Sequence, residues 1–283
     1  MHFYRPKFVP AALQKPQDRL LSKLGGHPWG FPKHRWPVCP DCGYPMSMVA
    51  QFEHASPVID LGKTGGVLHL FYCANLLCMG YGVGGCQAMV LPREEIGSGL
   101  TPQPPDKEGD QVINGELWIT GWERHEDSVS PDQASLFYDD VRYMKLPDEI
   151  ANPFDFSPQW DTKAGGVPYW GGNGVTLDYA SIPCPPFEFL LQIHQTVYVD
   201  SEPSAVDVIG GDVAIHENVD RGRRLEVTHW PAGGVGEPET SWVYENDDEM
   251  EGIDFANFGS DGTGYVFINR HSNPPEVRWF WSR

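Results

Sequence analysis

The chain has 283 residues, 40% of them hydrophobic, which is enough for a sizeable core and excludes global disorder. Asp and Glu number 39 against 20 Lys and Arg, a formal net charge of −19. This argues against nucleic acid and anionic membranes as partners, since both require a positive surface, and points to a basic partner if the partner is charged.

Along the chain, the N-terminal segment has no apolar run of signal-peptide length and is interrupted by Pro6, Pro10 and Pro16, so a cytoplasmic protein is expected. A short helix is predicted over Pro16–Leu24, stopped by Gly25-Gly26. Strands are predicted at Met46–Phe52, Val67–Tyr72, Gln87–Leu91, Glu116–Trp122, Phe187–Ile193, Leu225–Thr228 and Tyr265–Asn269. Residues 64–92 contain no Asp, Glu, Lys or Arg, but their many glycines would weaken a spanning helix. Buried strands around a turn explain the stretch better. Residues 97–111 read as a polar, Pro-rich loop joining two halves.

Those halves carry similar landmarks. Lys23-Leu-Gly25-Gly26-His-Pro28 returns as Lys163-Ala-Gly165-Gly166-Val-Pro168, with Trp29 after the first and Trp170 after the second. An apolar strand ending in glutamine follows each: Met48-Val-Ala-Gln51, then Phe189-Leu-Leu-Gln192. The expected fold is α+β, predominantly antiparallel β, internally duplicated into two lobes. Residues 1–110 form the first lobe, 111–160 a connecting segment, and 161–283 the second lobe with an acidic insertion. Trp29, Trp170, Gln51 and Gln192 are candidate groove-lining residues between the lobes.

The sharpest chemical signal is Cys39-Pro-Asp-Cys42-Gly43, followed by Cys73-x4-Cys78. A C-x2-C knuckle followed by glycine lets two thiolates converge on one ion, and four soft thiolates suit zinc. Cys86 in place of Cys78, or His69 as a nitrogen ligand, are alternatives. Four cysteines would leave no open coordination position, so the expected zinc is structural rather than catalytic. Gly43 and Pro45, with no surrounding βαβ pattern, argue against a redox C-x-x-C. Cys184 alone cannot build a second cage.

Charge is uneven. Residues 1–37 carry a net of +6 and residues 200–254 a net of −12; the run Glu245–Glu251 reads as a solvated acidic loop. No nucleophile elbow, P-loop or dinucleotide fingerprint is present, and lone histidines such as His27 and His216 read as packing or surface residues.

The order Lys-x-Gly-Gly-x-Pro, Trp36-Pro-x-Cys39-x-x-Cys42-Gly-x-Pro, a strand ending Ala-Gln51, then Leu-x-Leu-Phe-Tyr-Cys73-x4-Cys78 resembles the YwqG-like family of bacterial proteins of unknown function. Phe258-Gly-Ser-Asp-Gly-x-Gly-Tyr265-Val-Phe is similar to that family's C-terminal signature. The pattern is more distantly similar to the programmed cell death protein 2 family, whose members act as dedicated chaperones for a ribosomal protein. The resemblance implies a sheet-dominated, duplicated fold with Cys39, Cys42, Cys73 and Cys78 at zinc positions. The expected function is a non-enzymatic, chaperone-like scaffold for a basic protein. The alternatives are a hydrolase with its site between the lobes, using acids such as Glu123 and Asp261, and a toxin-immunity partner.

Overall fold

A computed structural model describes residues 1–11, 16–75, 78, 85–105, 116–126, 129–138, 143, 146–147, 161–170, 183, 185–198, 215–218, 222–229, 239–245, 252–254, 258 and 262–282. Among the described residues the protein is mostly antiparallel β, with a short helix, α1 (Pro131–Ala134). Strands of the first half are β1 (His2–Pro10), β2 (Lys23–Leu24), β3 (Ser47–Glu53), β4 (Val67–Tyr72) and β5 (Cys86–Leu91). There follow β6 (Leu117–Glu126), β7 (Lys163–Gly165), β8 (Glu188–His194) and β9 (Thr196–Tyr198). The last are β10 (Ile215–Asn218), β11 (Gly222–His229), β12 (Glu239–Glu245), β13 (Gly252–Asp254), β14 (Thr263–Asn269) and β15 (Glu276–Ser282).

Ten strands form one sheet in the order β15-β14-β8-β7-β1-β6-β2-β3-β4-β5. The sheet curls until β15 lies beside β5, and the Trp279 indole N–H crosses this seam to the Phe71 carbonyl at 2.9 Å. A nearly closed barrel results. Leu24, Ala50, Leu70, Leu117, Ile193, Val266 and Trp279 belong to its principal core. Ile59 and Leu61 reach that core from the loop after β3, which is tied to the far half where Arg270 donates to the Asp60 carbonyl at 2.9 Å. Strands β10-β11-β12 and β13-β9 form two smaller sheets.

Read outward from the central β1–β6 pair, the order has a mirrored pattern: β7, β8, β14, β15 on one side and β2, β3, β4, β5 on the other. Each central strand pairs with the opposite half: β1 with β7 and β6 with β2. Lys23 faces Gln51 in register, and Lys163 faces Gln192. The pairing slips by one residue at Val49 in β3 and at Leu190 in β8, two positions before each glutamine. Gly25 and Gly26 have φ of +66° and +68°, Gly165 and Gly166 of +75° and +70°, a conformation that glycine takes without penalty.

All six residues of β4 are buried, because the strand is packed on both faces; this accounts for the uncharged stretch from residue 64. Among the described residues no helix is long and apolar enough to cross a membrane. The helix expected over Pro16–Leu24 does not form. Residues 16–22 take no regular structure, and Lys23-Leu24 is held as a strand between β3 and β6. Pairing on both edges outweighs a weak local helical preference. Leu117–Glu126, inside the segment expected to connect the lobes, is a central strand.

Candidate metal centre

The cysteine knuckle is built by a tight turn after the bridge between Val38 and Pro45. The Cys39 amide donates to the Tyr44 carbonyl at 2.8 Å, and the Gly43 amide returns to the Cys39 carbonyl at 2.8 Å. Gly43 has φ +77°, a value an L side chain rarely adopts, which explains a glycine directly after the second thiol. The other two cysteines come from the end of β4. The Cys73 amide donates to the Gly85 carbonyl at 2.8 Å, and the Cys78 amide to the Asn75 carbonyl at 2.9 Å.

These turns bring the sulfurs of Cys39, Cys42, Cys73 and Cys78 within 4.8 Å of one another. Cys39 Sγ lies 3.7 Å from Cys78 Sγ, and Cys42 Sγ 3.5 Å from Cys73 Sγ. A tetrahedron with metal–sulfur bonds of about 2.3 Å has edges of about 3.8 Å, so the set can hold a metal ion. Cys39 and Cys73 are buried among Phe31, Trp36, Met46, Met48 and Phe71, while Cys42 and Cys78 are half-buried. Burial works against ionisation of Cys39, but the Cys42 and Asp41 amides outweigh it and bring its thiol below the ordinary value. Burial and the neighbouring thiols push Cys73 the other way. A cation at the centre would stabilise all four thiolates.

Both alternative ligands stand outside the cluster. The Cys86 thiol is pushed upward by burial and belongs to the barrel side of β5, packed against the principal core. His69 is fully buried against the rings of Phe31 and Phe71, where desolvation pushes its imidazole down to about 3.

Gln51 and Gln192 are both fully buried. The Gln51 side chain accepts from the Trp29 amide at 2.8 Å and donates to the Leu21 carbonyl at 2.6 Å. Gln192 accepts from the Tyr169 amide and donates to the Asp161 carbonyl, both at 3.0 Å. Trp170 is also fully buried, its indole N–H bonded to the Phe137 carbonyl at 2.8 Å; Trp29 is half-buried. Gln51, Gln192 and Trp170 therefore act inside the protein.

Of the acids considered for hydrolysis, Glu123 has its carboxyl held below the ordinary range by the hydrogen bond and charge of Lys7, the reverse of what a general acid needs. Asp261, Cys184 and most of the acidic run Glu245–Glu251 lie outside the described residues. Sequence reasoning passed over Asp161. Burial raises its carboxyl despite the opposing pull of Arg5, 2.7 Å away, and of His194. It also passed over Glu116, which bonds the fully buried Lys23 at 2.7 Å; burial nevertheless holds Lys23 below its ordinary value.

The sequence matches no protein-family model and no curated protein.

Proposed function

We propose that the protein is a non-enzymatic, chaperone-like scaffold that binds a basic protein segment in the cytoplasm, with one structural zinc ion on Cys39, Cys42, Cys73 and Cys78. The observation that carries the partner is the net charge of −19, which would accelerate and select encounters with a basic chain. The resemblance to YwqG-like and programmed cell death protein 2 families supports the same reading. Four thiolates around one ion leave no position for a reacting water, which favours scaffold over enzyme, and reduced thiolates suit the cytoplasm. The matching glutamines, glycine pairs and bulges support an internal duplication with two similar lobes.

The test is to purify tagged protein at low salt, identify any stoichiometric protein released by a salt step, and reconstitute the pair from pure components. A basic partner whose affinity falls steeply with salt is the expected outcome. Binding that is indifferent to salt would count against the reading, as would a reconstituted partner that is acidic.

A further inference from the structure

The four clustered sulfurs make two contacts that run between the loops. Cys39 Sγ meets Cys78 Sγ at 3.7 Å, and Cys42 Sγ meets Cys73 Sγ at 3.5 Å. In each contact one cysteine is buried, Cys39 or Cys73, and the other half-buried, Cys78 or Cys42. Beside Cys42, Pro40, Asp41 and Gly43 are exposed, and a methyl built on Gly43 would meet open space. Each pair therefore offers a small oxidant an outer sulfur with an inner one in contact behind it. A disulfide is about 2.05 Å long, so either pair needs to close by only about 1.5–1.7 Å. Cys86, the remaining cysteine among the described residues, stands outside the cluster and packs against the principal core.

We propose that the cluster is a peroxide-sensitive clamp, in which Cys42 joins Cys73 and Cys78 joins Cys39 while the bound ion is expelled. This deepens the structural-zinc reading and rests on it for the ion alone. In the first step the outer thiolate attacks hydrogen peroxide: an S–O bond forms, the O–O bond breaks, and hydroxide leaves to be protonated to water. In the second the inner thiolate attacks that sulfenic sulfur: an S–S bond forms, the S–O bond breaks, and the oxygen leaves as a second water after taking up a proton. Each disulfide takes two electrons from two thiolates and reduces one peroxide to two waters. The two pairs together consume two peroxides and four protons, and the dication is left without a thiolate donor. The direction of pairing decides what happens to the fold. One loop is held by the Val38–Pro45 bridge and the backbone bonds of Cys39 to Tyr44 and Gly43 to Cys39, the other by those of Cys73 to Gly85 and Cys78 to Asn75. Disulfides across the two loops replace the link that the ion supplies, so Phe31 and Trp36 stay packed. A disulfide inside the Cys39-x2-Cys42 turn would leave the loops unlinked.

The test treats the full zinc-loaded chain with about two equivalents of hydrogen peroxide per chain. Released zinc is read with a chromophoric chelator, and disulfides are mapped by mass spectrometry of unreduced peptides. The expected result is complete release of the bound zinc, the pairs Cys39–Cys78 and Cys42–Cys73, and Cys86 still a thiol. The near-ultraviolet circular dichroism should be retained, and dithiothreitol should restore zinc binding. Zinc that stays bound in peroxide would overturn the proposal. So would a Cys39–Cys42 disulfide, a pair containing Cys86, or sulfinic acids in place of disulfides. Zinc content before peroxide judges the metal reading separately: in protein that carries none, the same disulfide map still decides the pairing.

Discussion

Around Gln51 and Gln192 the two halves build one frame and then complete it with different chemistry. In each, a buried glutamine joins the chain before the short strand to the chain after its glycine pair. In the second half the layer above is aromatic, with Trp170, Tyr169, Tyr265 and Phe267 all fully buried in one cluster. In the first half the corresponding layer is smaller and includes Cys39 and Cys73, and its end is gathered by four thiols. A frame that is closed by aromatic area at one site can be closed by a coordinated ion at another, because both remove conformational freedom from loops that would otherwise not pack.

The largest effect should come from breaking that difference. Structural zinc in small modules binds with about 10–16 kcal/mol of apparent free energy, comparable with the whole net stability of a domain, about 5–15 kcal/mol. Cys39→Ser and Cys73→Ser should therefore lose the metal and the packing of Phe31 and Trp36, while the aromatic layer around Trp170 persists. Elemental analysis with near-ultraviolet circular dichroism reads both; metal-free native protein with unchanged spectra would refute it. Next come the shared parts. Gln51→Ala and Gln192→Ala each leave two backbone groups, mostly part-buried, without their partner, at up to about 1–3 kcal/mol per group. Urea unfolding should show losses of similar size, and a large disparity would show that the frames are not equivalent.

The cysteine cluster was legible because its signal is local: the spacing of Cys39 and Cys42 and the glycine that follows dictate the knuckle whatever surrounds it. The distant pair, Cys73 and Cys78, could be chosen only loosely, since Cys86 and His69 stood on or beside the same strands and only the fold separates them. β1 was not legible. Pro6 and Pro10 discourage a strand, and the register shifts at Lys7/Phe8, so no alternation marks it. Proline is tolerated there because β7 pairs only with Phe3 and Tyr4, leaving Pro6 free of a second ladder. The exchange of central strands between halves depends on contacts more than ninety residues apart, which no local pattern encodes. The same holds for the misplaced helix at Pro16–Leu24.

The glycine pairs sharpen the comparison at lower cost. Alanine in the left-handed region is disfavoured by roughly 1–2 kcal/mol, and both Gly26→Ala and Gly165→Ala incur this. At Gly26 the new methyl would also sit 2.0 Å from Glu116 Oε2, displacing the carboxylate that holds Lys23. At Gly165 its nearest contact would be the His2 carbonyl oxygen at 3.4 Å, close to ordinary packing distance. Thermal melts should rank Gly26→Ala as the more destabilising.

The smallest effect lies at Asp161, whose backbone carbonyl serves Gln192 where that of Leu21 serves Gln51. Its carboxyl is raised by burial, so the folded chain keeps this proton to higher pH than the unfolded chain does. The resulting contribution to stability is fully present at acid pH and is lost as pH rises through the folded value. Asp161→Asn removes the titration while leaving the backbone carbonyl in place. The stability difference between wild type and variant should therefore change across the window just above the ordinary carboxylate value and be flat at higher pH. Urea midpoints measured through that window read the change directly. A wild-type advantage that instead grows as pH rises through the window just below the ordinary carboxylate value would mean that the Arg5 ion pair, not burial, governs this carboxylate.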